Sequence, residues 1–433
     1  MVKISDIYEL FLRYPCISTD SRSVKKNSIF FGLSGRNFDG NKFTMDALRG
    51  DAAYAITDKE YFEADSRIIR VKDSLATLQE LSNYHRKRCG TKILAITGSN
   101  GKTTTKELIK KILGEKYKVF ATTGNLNNHI GVPLTLLSMP PDTSIAVIEM
   151  GANHHGEIRQ LCGIAEPDFG LITNIGKAHM EGFGTLEDVA RAKAELFDYL
   201  KGRRGKIYIN TGNPFISALI PENYSNTVLY GDRDTTCWGQ YVKSNPFLEM
   251  LLFMEGDTSG LKINTNLVGR YNVENVVAAA AFAHSLNMAK DSIKSSVEDY
   301  SPENNRSQLI KTEDNTIYLD AYNANPTSMK AALESFIELE LQNKWFILGE
   351  MLEVGDRSDK EHEILLKFLR EKNMTNVICI GKGFLRHAEE FGYKYYNDVD
   401  ELVQILKSER IRNASILIKG SRANRLEKLV NAL

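Results

Sequence analysis

Runs of apolar residues and the polar stretches between them divide the chain into three regions. In residues 1–88, an amphipathic helix over the opening MVKISDIYELF precedes short apolar strands at Ser28–Phe31, Ala53–Ile56 and Ile68–Val71. Phe38-Asp39-Gly40 marks a turn between them. A helix over Ser74–Arg88 closes the region on His85-Arg86-Lys87-Arg88, a cationic end that suits a helix C-terminus. Residues 89–301 carry buried-strand runs at Ile93–Thr97, Val119–Thr122, Ile145–Met150, Phe169–Ile175 and Ile207–Asn210, with helical stretches between several of them. Runs that are apolar throughout belong to strands covered on both faces, so the pattern predicts a mostly parallel sheet. A β-rich insert over Val228–Leu267 follows, then a helix from Asn272 whose Val276–Ala283 stretch reads as core. In residues 302–433, strands at Thr316–Asp320, Trp345–Leu348, Val377–Ile380 and Ile416–Lys419 are each followed by Gly or Asn and a helix. That predicts a smaller doubly wound, Rossmann-like domain with ligands at its strand C-termini. The fold class is α/β in three domains, the central one of P-loop ATPase type.

Composition narrows the function classes. With Lys+Arg and Asp+Glu both at 55, the chain lacks the basic excess of a nucleic-acid binder. The cysteines Cys16, Cys89, Cys162, Cys237 and Cys379 form no CxxC pair and read as reduced thiols. No apolar run reaches membrane-span length, and the charged opening is not a signal peptide. A cytoplasmic protein with no membrane span and no nucleic-acid partner, acting as a monomer, is expected.

The strongest chemical signal is the strand-to-helix passage Ile93-Leu-Ala-Ile-Thr97-Gly98-Ser99-Asn100-Gly101-Lys102-Thr103-Thr104-Thr105. Glycines let backbone N–H groups wrap phosphate oxygens, and the helix N-terminus favours an anion. Lys102 is expected to reach the β/γ-phosphates and the Thr103 hydroxyl to bind Mg²⁺. The spacing is shorter than the usual G-x-x-x-x-G-K-[ST]. Glu149 ends an apolar strand, where a carboxylate near such a loop suits Mg²⁺; alone, it would read as a surface Glu. His179 lies in a glycine-rich loop after a strand. Lys193 follows on a helix among apolar residues and, by itself, reads as a snorkelling surface lysine.

GSNGKTTTKE, VIEMGANHHGEI, TNIGKAHMEGFG and ARAKAELF, in that order, resemble the central domain of the Mur ligases, which build the peptide of bacterial cell-wall precursors. Three further stretches resemble the branch of that family that adds D-alanyl-D-alanine to UDP-N-acetylmuramoyl-tripeptide. They are the run Gly124-Asn-Leu-Asn-Asn128-His-Ile-Gly-Val-Pro-Leu134, Asp320-Ala-Tyr-Asn-Ala-Asn325-Pro-Thr-Ser-Met329, and Leu348-Gly-Glu-Met-Leu-Glu-Val-Gly355. The likeness extends from Thr19-Asp-Ser-Arg22 to Lys419-Gly-Ser-Arg422.

The resemblance implies an ATP-dependent amide ligase working through an acyl phosphate. It implies that Thr103 and Glu149 bind Mg²⁺, that His179 helps hold a second Mg²⁺, and that Lys193 carries CO₂ as a carbamate. It places Asn272 and Asn275 at the nucleotide's base and ribose, with Asn272 the adenine contact, and brings Arg306 and Asp320 over ATP. It assigns Ser21, Arg22, Asp39 and Asn41 to the UDP-sugar. Asn323 and Asn325 are expected to position D-alanyl-D-alanine, or to shape the loop that does. In these terms residues 1–88 bind the UDP-sugar, 89–301 bind ATP and 302–433 receive the amine. Asn41 stands where relatives often have His, Asn304-Asn305-Arg306 lacks a glycine often found before this arginine, and Glu350 replaces a common Asp. The rivals are another Mur-type or folylpolyglutamate-type ligase, and a P-loop regulator. Whether the tripeptide ends in lysine or diaminopimelate is open.

Overall fold

A computed structural model describes residues 2–35, 38–60, 65–303 and 305–433; Asn304 lies outside them. Three α/β layers follow one another along the chain. In the first, strands Ile17–Ser18, Ile29–Phe31, Tyr54–Thr57 and Ile68–Arg70 run parallel in chain order. The helix Ile4–Arg13 buries Ile7, Tyr8 and Phe11 in the same cluster as Leu78 and Leu81 of the helix Ser74–Cys89.

The central sheet has nine strands. Its parallel half is built from Val119–Ala121, Ile145–Glu149, Lys92–Thr97, Phe169–Ile172, Lys206–Asn210 and Thr227–Gly231. The inner strands of this set are apolar on both faces: Ile93–Ile96 and Ala146–Ile148 are fully buried. The expected β-rich insert is not a separate body. Cys237–Ser244, Phe247–Met254 and Leu261–Val268 continue the same sheet, the last two pairings antiparallel. Their alternating burial, with one face on the helix Asn272–Ser285, is why they read differently from their neighbours. Val276–Ala283 of that helix is buried throughout, as its small apolar residues predict.

The third sheet runs Gln308–Lys311, Asn315–Asp320, Ala414–Lys419, Lys344–Gly349, Val377–Ile380, Lys394–Tyr396, parallel except at its first pair. The two edge strands are half-exposed and mixed in composition, so apolar periodicity does not reveal them. The expected helix after the Ala414–Lys419 strand is absent; short 3₁₀ turns at Arg422–Asn424 and Leu426–Asn431 replace it. No described helix is long and apolar enough to cross a membrane.

Candidate active site

The Lys92–Thr97 strand lies inside the central sheet, flanked by Phe169–Ile172 and Ile145–Glu149. Its C-terminal end delivers the loop Gly98–Gly101 to the helix Lys102–Leu113. Both glycines are required by geometry. Gly98 has φ +147°, and a Cβ there would sit 1.9 Å from Thr173 Oγ1; Gly101 has φ +80°, and a Cβ there would meet Asn275 Oδ1 at 2.1 Å. Polar partners pin the loop between them: Asn100 N donates to Asn174 Oδ1 at 2.8 Å and Ser99 N to Asn174 O at 3.0 Å. The 12-residue helix starts with no side-chain cap at Gly101, leaving its first N–H groups for an anion. Lys102 Nζ curls back to donate to Gly98 O at 2.8 Å. Burial pushes the Lys102 ammonium below its ordinary value; Glu149 opposes that shift and the Arg306 charge adds to it.

Thr103 Oγ1 donates to Glu149 Oε2 at 2.8 Å, and Asn127 Nδ2 donates to Glu149 Oε1 at 2.9 Å. A nearly buried carboxylate beside a hydroxyl is a hard oxygen pair of the type Mg²⁺ takes. Among the described residues no group of three or more His, Cys, Asp or Glu forms a cage. His179, at φ +52°, places Nδ1 2.8 Å from Glu353 Oε2. This hydrogen bond is the main cause holding the Glu353 carboxyl below its ordinary range.

Glu353 belongs to the third sheet's loops, and it is one of several ties across the site. Asn325 Nδ2 donates to Asn100 Oδ1 at 2.8 Å, Lys177 Nζ meets Glu361 Oε1 at 2.5 Å, and Lys177 N donates to Thr327 Oγ1 at 2.9 Å. Between the two sheets lies a cavity of about 780 Å³. Lys102, Thr103, Glu149 and His179 line one side; Arg306, Asp320, Asn323 and Asn325 line the other. Arg306 lies over the Tyr322 ring at 3.6 Å with its Nε buried and without a hydrogen-bond partner among the described residues, and Asp320 pairs with Lys419 Nζ at 2.5 Å.

The Mur ligase middle domain matches residues 96–283, and the Mur ligase glutamate ligase domain matches residues 305–422. The UDP-N-acetylmuramoyl-tripeptide–D-alanyl-D-alanine ligase of Bacillus subtilis is 35% identical over 434 residues, spanning 96% of this chain and 92% of that protein. The chain belongs to the Mur ligase family. Among solved structures, MurF of Acinetobacter baumannii superposes with TM-score 0.85 at 28% identity, covering 96% of this chain and 92% of the other. The MurF ligase of Thermotoga maritima in complex with ADP superposes with TM-score 0.85 at 26% identity, covering 97% of each.

In this Mur ligase, Lys193 is not the solvated helix residue that its local sequence describes. The helix Leu186–Gly202 turns it inward to 1% exposure, and burial, with the Lys102 charge second, pulls its ammonium down to about 7. Asn272 and Asn275 do reach the cavity. Their amides are also joined to each other at 2.8 Å, while Asn272 Nδ2 donates to Val268 O and Thr105 Oγ1 donates to Asn275 Oδ1. The four residues expected at the UDP-sugar do not line the cavity. Arg22 is exposed and forks onto Asp20 at 2.9 and 2.7 Å, beside Ser21. Asn41 is wholly buried: its Nδ2 donates to Ser34, Asp39 and Asp58, and its Oδ1 accepts from Thr57 Oγ1. Its side chain therefore ties Ser34 to Asp39 and holds the Asp39 carboxyl below its ordinary range.

Asn325 likewise has a structural employment. It caps the helix Pro326–Glu338, accepting from Ser328 N at 2.9 Å within a capping box, while its Nδ2 holds Asn100. The geometry supports the loop-shaping reading. Asn325→Ala should destabilise the protein by about 1 kcal/mol and raise KM for ATP and for the amine substrate together. Melting curves and steady-state kinetics check this, and a rise confined to the amine substrate would restore direct contact. Asn323 Oδ1 accepts from Ala324 N, and its side chain also bonds Glu353. Sequence reasoning did not single out Tyr322, Glu353 or Asn127. The strand-end rule for doubly wound sheets, applied to the stretches after Asp320 and Gly349, is the signal that would have found the first two.

Proposed function

We infer that this Mur ligase joins D-alanyl-D-alanine to UDP-N-acetylmuramoyl-tripeptide with hydrolysis of ATP to ADP and phosphate. The observation that carries this reading is the Asn325–Asn100 bond, which sets the Asp320–Asn325 loop directly against the phosphate loop. A nucleotide switch needs no such second wall; a ligase that must bring an amine to a phosphorylated carboxylate does.

Gly98–Thr104 take the triphosphate, Asn272 and Asn275 face the base and ribose, and Arg306 and Asp320 close on ATP from the third sheet. A terminal carboxylate oxygen of the tripeptide attacks the γ-phosphorus, and the bond to the ADP oxygen breaks. The amine nitrogen of D-alanyl-D-alanine then attacks the acyl carbon. The tetrahedral adduct collapses, phosphate leaves and the amine proton is released. Lys102 and Arg306 offset the charge that sets one anion against another. Thr103, Glu149 and His179 would hold Mg²⁺, which supplies further neutralisation of the phosphates. Glu353 fixes the His179 ring through Nδ1 and leaves Nε2 for the cavity. Lys193 fits a carbamate site, because an amine brought down to about 7 is neutral enough at physiological pH to add CO₂.

Residues 1–88 hold the UDP-sugar through Ser21, Arg22 and Asp39, with Asn41 as their support. Residues 89–301 bind ATP, residues 302–433 receive the dipeptide, and the reaction takes place in the cytoplasm, where UDP-precursors and ATP are available. Phosphate release should require all three substrates together. A tripeptide ending in lysine and one ending in diaminopimelate, assayed in parallel, decide the acceptor. Release with D-alanyl-D-alanine omitted, or with a different amino acid in its place, would overturn the assignment.

A further inference from the structure

The amine substrate of the proposed reaction is itself charged. As the amine reacts in its neutral form, the dipeptide's other end remains a carboxylate, and a carboxylate entering a cavity needs a cation or several donors. The cavity is lined by four Lys or Arg side chains among the described residues: Lys102, Arg306, Lys419 and Arg422. Three have other employment. Lys102 belongs to the phosphate loop and holds Gly98 O. Lys419 is 2% exposed and ion-paired with Asp320. Arg306 lies close enough to Lys102 for its charge to bear on that ammonium, so it shares the phosphate end of the cavity.

Arg422 remains. It follows the Ala414–Lys419 strand at its C-terminal end, on the amine-receiving side. Its guanidinium forms no hydrogen bond or ion pair with any described residue; it is exposed, lines the cavity, and has its Cζ 5.0 Å from the centroid of the Tyr322 ring that Arg306 covers at 3.6 Å. The support beneath it is firm. A Cβ on Gly420 would come 2.8 Å from Gly349 Cα, so two strand ends are closely apposed there, and Ser421 Oγ accepts from Leu352 N at 2.9 Å. A guanidinium held by an aromatic face, with its N–H fork unoccupied, is built for bidentate capture of a carboxylate.

We propose that Arg422 binds the C-terminal carboxylate of the incoming dipeptide and thereby selects a free dipeptide over a neutral or shorter amine. The inference rests on the ligase reading above. Its test compares D-alanyl-D-alanine with D-alanyl-D-alaninamide, which lacks the charge, in the full-length wild type, Arg422→Gln and Arg422→Lys. In the wild type the amide should lower kcat/KM by about 10- to 100-fold. Arg422→Gln should lower kcat/KM for the dipeptide by a similar factor through its KM, leave KM for ATP within about threefold, and lose little more with the amide. Arg422→Lys, which keeps the charge without the fork, should fall between.

A wild type that uses the amide as well as the dipeptide overturns the proposal without reference to any variant. So does an Arg422→Gln that raises KM for ATP as much as KM for the dipeptide, which would put Arg422 on the phosphates. Additive losses from the substitution and the amide also overturn it. A wild type that ligates neither amine, while ATP and the UDP-tripeptide are present, instead refutes the ligase reading, and this inference falls with it.

Discussion

Lys193→Arg should be inactive, with ligation down by about a thousandfold or more, the scale of losing an anionic group that stabilises charge in a closed site. Lys193 is buried to 1% exposure and its ammonium is pulled down to about 7, first by burial and then by the charge of Lys102. Above that value the amine is neutral and can add CO₂, giving an anionic arm with two oxygens. Below it the protonated amine cannot react. Activity at limiting bicarbonate should therefore fall as pH drops through about 7 and recover on raising it. Arginine stays protonated throughout and cannot form the carbamate. Lys193→Ala should lose activity to a similar extent, but formate or acetate should restore part of it by supplying the missing carboxylate. Near-normal turnover by Lys193→Arg would refute the carbamate, as would an Ala variant that small carboxylates do not help while its fold, followed by circular dichroism, is intact.

Lys102→Ala should abolish ligation while leaving the melting temperature close to that of the wild type. Among the described residues the side chain's one hydrogen bond is to Gly98 O, and its ammonium is already destabilised by burial. Removing it takes little from the fold and withdraws a positive charge from the phosphates. We expect a fall of about 10²- to 10³-fold or more, the range seen when one charge-stabilising donor is lost. Fluorescent ATP-analogue titration and single-turnover phosphate release separate binding from chemistry. Activity within tenfold of wild type would remove Lys102 from the assigned role.

Much of the site is readable in local sequence because its parts are local. The phosphate loop is one strand, two glycines and one helix start; the positive φ of each glycine belongs to the loop itself, although the atoms a Cβ would meet, on Thr173 and Asn275, come from far along the chain. Glu149 is the last residue of its own strand, and the third region's ligand-facing loops follow its strand ends. Other features depend on partners far along the chain. The partner of His179 is Glu353, that of Asn100 is Asn325, and that of Lys177 is Glu361. No periodicity within either segment encodes these pairings. Asn41 is a buried hub on which Ser34, Thr57 and Asp58 converge, and those partners lie too far along the chain for its own segment to reveal them.

Sequence by itself determined the α/β class, the order of strands and helices that are apolar throughout, the family, and the placing of Lys102 and Thr103 at a strand-to-helix loop and of Glu149 at a strand end. Those properties follow from residue type and short-range spacing, which the unfolded chain already carries. Tertiary structure decided that the β-rich insert extends the central sheet, that Lys193 faces inward and is no surface lysine, and that Asn325 caps a helix while holding the phosphate loop. It also left Arg422 as a cavity guanidinium without a polar partner among the described residues, beside the Tyr322 ring that Arg306 covers. Burial and pairing depend on which surfaces meet. The pKa of a lysine and the availability of a guanidinium are set by neighbours that come together only when the chain folds.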